Sequence, residues 1–162
     1  DDADVVGWLK TFTFRTPAEI AELEKELAER PGARAAQRAL AHDVTAFVHG
    51  EAATAAVISA SGALFGGGEL AEIDPATLAA AVDELPSAEV VVGSELIDAL
   101  AAAGLVAGRG AARRTIGEGG IYLNNVKVAD EAATLTEADF LHGKFAVLRR
   151  GKRTLAVARR VD

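Results

Sequence analysis

The apolar positions of the first half of the chain recur at three- and four-residue steps, the period of helices with one buried face. Val5, Val6, Trp8 and Leu9 predict a short helix over 3–9, with Trp8 as a core anchor. Thr16-Pro17-Ala18-Glu19 is a capping box with proline in the first turn, and Ile20, Leu23 and Leu27 continue it as a second helix. Arg30-Pro31-Gly32 breaks the chain. Ala36, Leu40, Val44, Phe47 and Val48 then predict a third helix over 33–49 with those residues as its core stripe. An Ala-rich fourth helix is expected over 51–65, interrupted by Gly62 and followed by the loop Gly66-Gly67-Gly68. Asp74-Pro75 restarts a helix that buries Leu78 and Val82.

After Leu85-Pro86-Ser87 the pattern changes. Residues 89–92 read as extended. Ser94 is placed to cap a helix with Leu96, Ile97 and Leu100 on one face, and Gly104 ends it. A second short helix carries Arg109, Arg113 and Arg114 and stops at Gly119 and Gly120. Ile121 and Leu123 alternate as a strand, Asn124-Asn125 turns, and Val126 and Val128 return. Thr136 caps a short turn with Asp139. Phe145 and Val147, then Leu155 and Val157, alternate on two strands around Gly151. The expectation is an α+β chain, with an all-helical domain over 1–86 followed over 87–162 by a small module of two helices and β-hairpins.

Composition narrows the class. Of 162 residues 50% are hydrophobic but only 5% aromatic, which favours alanine-lined helices approaching closely over a large aromatic core. No apolar run reaches 18 residues, so no membrane-spanning helix is expected, and the start carries no secretory signal. The absence of Cys removes disulfides and thiolate metal sites and suits a reducing compartment. The absence of Met, even at position 1, suggests a fragment, a processed product or the ordered part of a longer chain.

The net charge of −7 is split. Residues 1–86 carry 6 Lys and Arg against 15 Asp and Glu, a net of −9, whereas 87–162 carry 11 against 9, a net of +2. Residues 144–160 hold seven cations and no acid. Arg109 and Arg113 are four apart and share a helix face, Lys127 follows the hairpin turn, and Lys144, Arg149, Arg150, Lys152 and Arg153 cluster about the last hairpin. Long cations on a helix beside a hairpin can straddle a phosphate backbone. From charge alone, a solvated basic face remains an equal reading. The carboxylates of 19–29 alternate with Lys25 and read as a solvated face, and His42 and His49 lack a third ligand for a metal. The glycine run has neither the preceding strand nor the following lysine of a phosphate loop. No Ser/His/Asp or Cys/His arrangement is present, so no catalytic residue is assigned.

The order Gly104, Arg109, Arg113, Gly120, then Tyr122-Leu123-Asn124-Asn125 resembles the small S-four-like RNA-binding module of a ribosomal protein, some pseudouridine synthases and one class of tyrosyl-tRNA synthetase. Two positions depart from that pattern: Gly108 stands where Ser is usual, and Asn125 where Gly is usual, although Asn tolerates positive φ. The rest of the chain is similar, in the same order, to the carboxyl-terminal part of bacterial tyrosyl-tRNA synthetases. The matching text is Asp2-Ala3-Asp4-Val5, Leu9-Lys10-Thr11-Phe12-Thr13-Phe14, Glu19-Ile20 through Leu23-Glu24, Arg34-Ala35-Ala36-Gln37, Val48-His49-Gly50-Glu51 and Phe145-Ala146-Val147-Leu148-Arg149-Arg150-Gly151-Lys152.

The resemblance implies that the helical domain docks near the anticodon stem and loop. The basic module would clamp the anticodon and long variable arm of tyrosine tRNA, chiefly by shape and backbone. The residues it implies for RNA binding are Arg109, Arg113, Arg114, Asn124, Asn125, Lys127, Lys144, Arg149, Arg150, Lys152 and Arg153. It further implies a cytoplasmic enzyme, homodimeric through a domain largely absent here. That family binds ATP and tyrosine in an amino-terminal domain whose HIGH-like and KMSKS-like signatures are not in this sequence, so the chain should need no cofactor and be inactive alone. The alternative is a free-standing S-four-like protein that binds structured RNA.

Overall fold

The structure, a computed structural model, describes residues 2–162 and divides into two compact units, one ending at Ala56 and the other running Val57–Asp162. The first holds a 3-10 turn at Asp2–Asp4, then α1 (Val5–Phe12), α2 (Pro17–Glu29) and α3 (Ala35–His49). The Thr16 capping box forms: Glu19 N–H donates to Thr16 Oγ1 at 3.3 Å, and Thr16 N–H to the Glu19 carboxylate at 2.7 Å. Hydrogen bonding to Thr16 holds the Glu19 carboxyl below the usual carboxylate range. Arg15 grips Asp43 with Nε–H and Nη2–H, at 2.5 and 2.9 Å, joining the segment before α2 to α3 and lowering the Asp43 carboxyl.

Val5, Leu9, Ile20 and Ala36 close the core of this unit, with Leu23, Leu27 and Leu40 packed against them. Two sequence expectations change here. The third helix starts at Ala35 rather than residue 33, because Pro31–Ala33 forms a 3-10 turn and Arg34 takes a left-handed φ of +51°. Trp8, Val44, Phe47 and Val48 are not core residues: Trp8 is 44% exposed and Phe47 73%. Val5 and Leu9 fill the buried face of α1, and the second half of the α3 stripe stays exposed, with Val48 at 64%. Phe14, 91% exposed, lies beside the Phe47 ring, at 5.9 Å between centroids.

α4 (Glu51–Gly62) spans the division between the units and unwinds into a π-turn at Ala63–Gly67. A 3-10 turn at Leu70–Glu72 and α5 (Pro75–Val82) follow. The Asp74 carboxylate caps α5, accepting from Ala76 and Thr77 N–H at 3.0 Å each, as its position before Pro75 predicts. The remaining elements are β1 (Ser87–Val90), α6 (Leu96–Ala102), α7 (Arg109–Gly117), β2 (Ile121–Leu123), β3 (Val126–Lys127), β4 (Phe145–Arg150) and β5 (Thr154–Arg160). The five strands form one sheet in the order β1-β5-β4-β2-β3, with β1 parallel to β5 and the other pairs antiparallel. The chain is therefore α+β.

Both faces of the central strands are buried. Ala146, Leu148, Ala156 and Ala158 pack with Leu96, Leu100 and Ile116 of α6 and α7. Val147, Leu155 and Val157 pack on the other face with Ala60, Leu64, Leu70, Leu78 and Val82. The sequence placed its boundary at residue 86, where helix gives way to strand. The packing boundary lies at residue 56, because the apolar residues between Ala60 and Val82 cover the sheet. Ser94 does not cap α6: its Oγ accepts from Val91 N–H at 3.3 Å, and the Leu96 N–H is met by Ala133 O at 2.9 Å. Thr136 does meet the Asp139 carboxylate, through its N–H at 2.7 Å and its hydroxyl at 2.6 Å. No helix among the described residues is long and apolar enough to cross a membrane.

Candidate nucleic-acid interface

α7 buries Ala112 and Ile116 and turns Arg109, Arg113 and Arg114 outward. The three arginines do not share one environment. Arg109 Nη1 meets both Asp98 carboxylate oxygens at 2.6 Å, and Nη2 meets Glu95 at 2.7 Å. Its charge is already answered within the chain. Arg113 and Arg114 are exposed and form no ion pair with a described residue.

The end of α7 is where the basic elements converge. Lys127 is exposed, and its amino group lies over Gly119, at a point where a Cβ would collide with it. Gly151 N–H donates to Gly120 O at 2.8 Å, bringing the β4–β5 turn to the same place. That turn carries exposed Arg150, Lys152 and Arg153. The carbonyl end of a helix is the favourable end for cations, which eases this crowding. Lys144, at the start of β4, is also exposed. Arg113, Arg114, Lys127, Lys144, Arg150, Lys152 and Arg153 thus stand as seven solvent-facing cations without an acidic partner among the described residues.

The other expected residues are turned inward. Asn124 and Asn125 form the β2–β3 turn at φ of +47° and +67°. Asn124 Nδ2 donates to Asp139 O at 2.6 Å and its Oδ1 accepts from Val147 N–H at 2.8 Å. Asn125 Nδ2 donates to Ala63 O at 2.6 Å. Arg149 is only 8% exposed; it lies 4.0 Å over the Tyr122 ring and donates Nη1–H to Gly151 O at 2.6 Å. A ring face and a carbonyl take the place of a carboxylate in holding this buried charge. Arg159 and Arg160, part of the same basic run, are structural too: Arg159 reaches Asp83 and the Val82 carbonyl, and Arg160 reaches Glu137. No three His, Asp or Glu side chains gather among the described residues.

The family described as the tyrosine–tRNA ligase SYY-like C-terminal domain matches residues 77–158. A tyrosine–tRNA ligase of Streptomyces avermitilis is 58% identical over 156 residues, which is 96% of this chain and 37% of that protein. One from Mycobacterium tuberculosis is 56% identical over 162 residues, 99% of this chain and 38% of that protein. One from Thermobifida fusca is 53% identical over 159 residues, again covering 37% of the relative. The chain thus spans under two fifths of the length of the curated relatives it matches.

Proposed function

We infer the function from one premise: the chain belongs to the family of tyrosine–tRNA ligase SYY-like C-terminal domains. We propose that it is the tRNA-recognition portion of a tyrosine–tRNA ligase. The observation that carries this is the set of six exposed, unpaired cations about the end of α7 and the β4–β5 turn, with Lys144 exposed at the other end of β4, in a chain whose net charge is −7. An acidic chain that keeps one cationic rim free of its own carboxylates has kept it for an anion, and a polyphosphate backbone is the anion that several long side chains can share.

In this reading Arg113, Arg114, Lys127, Lys144, Arg150, Lys152 and Arg153 hold phosphates of tyrosine tRNA, in its anticodon region and long variable arm. Asn124, Asn125 and Arg149 shape the surface, and Arg109 steadies the start of α7. The functional division runs at residue 86, with the helical region beside the anticodon stem and the sheet-bearing region on the arm. Activation of tyrosine with ATP belongs to the part of the ligase outside this chain. What this chain supplies is orientation: a tRNA held at several phosphates presents its acceptor end to the catalytic part with most of its rotational freedom removed. The parent enzyme is cytoplasmic and works as a homodimer joined through that other part.

The test is a binding titration of the 162-residue chain against tyrosine tRNA and against a tRNA with a short variable arm, at two salt concentrations. Tighter binding of the long-armed tRNA is expected, with roughly 0.7 to 0.9 log units of affinity lost per log unit of salt for each phosphate held. Equal affinity for both would reduce the reading to a general structured-RNA binder. Absence of binding at low salt would overturn it.

A further inference from the structure

A small buried polar cluster beneath the β2–β3 turn is left unused by the phosphate-holding reading. The hairpin above it is slight. It has two paired positions, Tyr122 with Lys127 and Leu123 with Val126, and β3 is an edge strand with both residues exposed. β2 is held by its pairing with β4, but β3 has no second strand beside it, so the outer strand depends on the turn and on what lies beneath it.

Asn125 occupies a left-handed position that the backbone would fill more readily with glycine. Turn formation alone therefore does not ask for asparagine. Its side chain does something glycine cannot: Nδ2 donates to Ala63 O at 2.6 Å and reaches Gly68 O at 3.5 Å, 62 and 57 residues earlier in the chain. Both carbonyls lie where α4 gives way to the π-turn and an extended Gly68. Gly66 beside them takes φ +90°, which side-chain-bearing residues rarely adopt; a Cβ there would make ordinary van der Waals contact with Arg149 Nη2 at 3.5 Å and Asn125 Oδ1 at 4.0 Å, so the cost of a side chain at this position is backbone strain in the turn. Arg149 closes the cluster from below, stacked on Tyr122, the residue paired with Lys127.

We propose that Asn125 is a positioning residue for RNA binding: it anchors the β2–β3 hairpin to the turn at the end of α4 and so holds Lys127 over Gly119, in reach of the cationic β4–β5 turn. The inference rests on the RNA reading above. It places residues 63–68, which lie outside the segment matched by the family, in the support of the phosphate-binding surface.

Asn125→Gly separates the two roles of the residue, since it keeps the turn and removes the anchor. Amide exchange of residues 121–128, measured without RNA, should accelerate about 2- to 10-fold in N125G, the range one net hydrogen bond supports, while β4 and β5 exchange as before. Affinity for tyrosine tRNA should fall by a factor in the same range of about 2 to 10. Lys127→Ala, which flattens the salt slope of the parent chain by about one phosphate, should change nothing further in N125G. Gly66→Ala, acting from the other side of the contact, should reproduce the faster hairpin exchange. Unchanged exchange of 121–128 in N125G, or a Lys127→Ala effect that simply adds to it, overturns the proposal. A parent chain that does not bind tRNA overturns the RNA reading and this positioning role together. The exchange measurement then reports whether the anchor itself exists.

Discussion

Arg109 and Arg113 stand four residues apart on one helix and differ in what surrounds them. Asp98 and Glu95 hold the guanidinium of Arg109, while Arg113 is exposed and forms no ion pair with a described residue. Replacing both Arg113 and Arg150 with Ala should weaken tRNA binding and flatten the salt slope by about two phosphates. Arg109→Ala should leave the slope nearly unchanged, as salt-dependent binding assays would report. The same local bookkeeping gives a pH dependence. Because Arg15 holds the Asp43 carboxyl below its ordinary value, the pair stabilises the fold above the unfolded carboxylate range, near pH 4, and that contribution is lost as pH falls through the lower folded value. Thermal melts of the parent chain should decline in acid more steeply than those of Asp43→Asn. Charge was legible at all these positions from the sequence. Partnership was not, since the acids that claim Arg109 lie 11 and 14 residues back, and the ring beneath Arg149 lies across a strand pair.

At the scale of elements, what local rules govern was readable. Caps and prolines marked the starts of α2 and α5, Gly104 at φ +69° ended α6, and alternation marked β4 and β5. Thr16→Ala removes one side of the α2 capping box and should cost about 0.5–2 kcal/mol of stability, measurable by denaturant titration. The cap expected of Ser94 failed for a reason beyond local text: a loop carbonyl from Ala133 already meets the first N–H of α6. Likewise the apolar stripe of α3 was read correctly as a stripe, but periodicity does not say whether a partner covers all of it. Trp8, Phe12, Leu40 and Val44 line an open groove where the stripe runs on.

At the scale of the molecule, the order of a helical part and then a small β-bearing part was legible from the change of secondary structure, whereas which residues pack together was not. The apolar residues from Ala60 to Val82 cover Val147, Leu155 and Val157, a cluster that joins positions 65 to 97 residues apart in the sequence. A chain cut to begin at residue 77 should therefore lose its cooperative thermal transition and bind a hydrophobic dye, whereas one beginning at residue 57 should melt cooperatively. The π-turn that receives Asn125 gives this arrangement a consequence for how such a module travels between proteins. Its sheet, its basic turn and its short hairpin do not suffice as a portable cassette. In this chain, on the proposal above, they lean through Asn125 on a helix ending that lies before the matched segment, so recombination at the edge of that segment would deliver the charges without the frame that aims them.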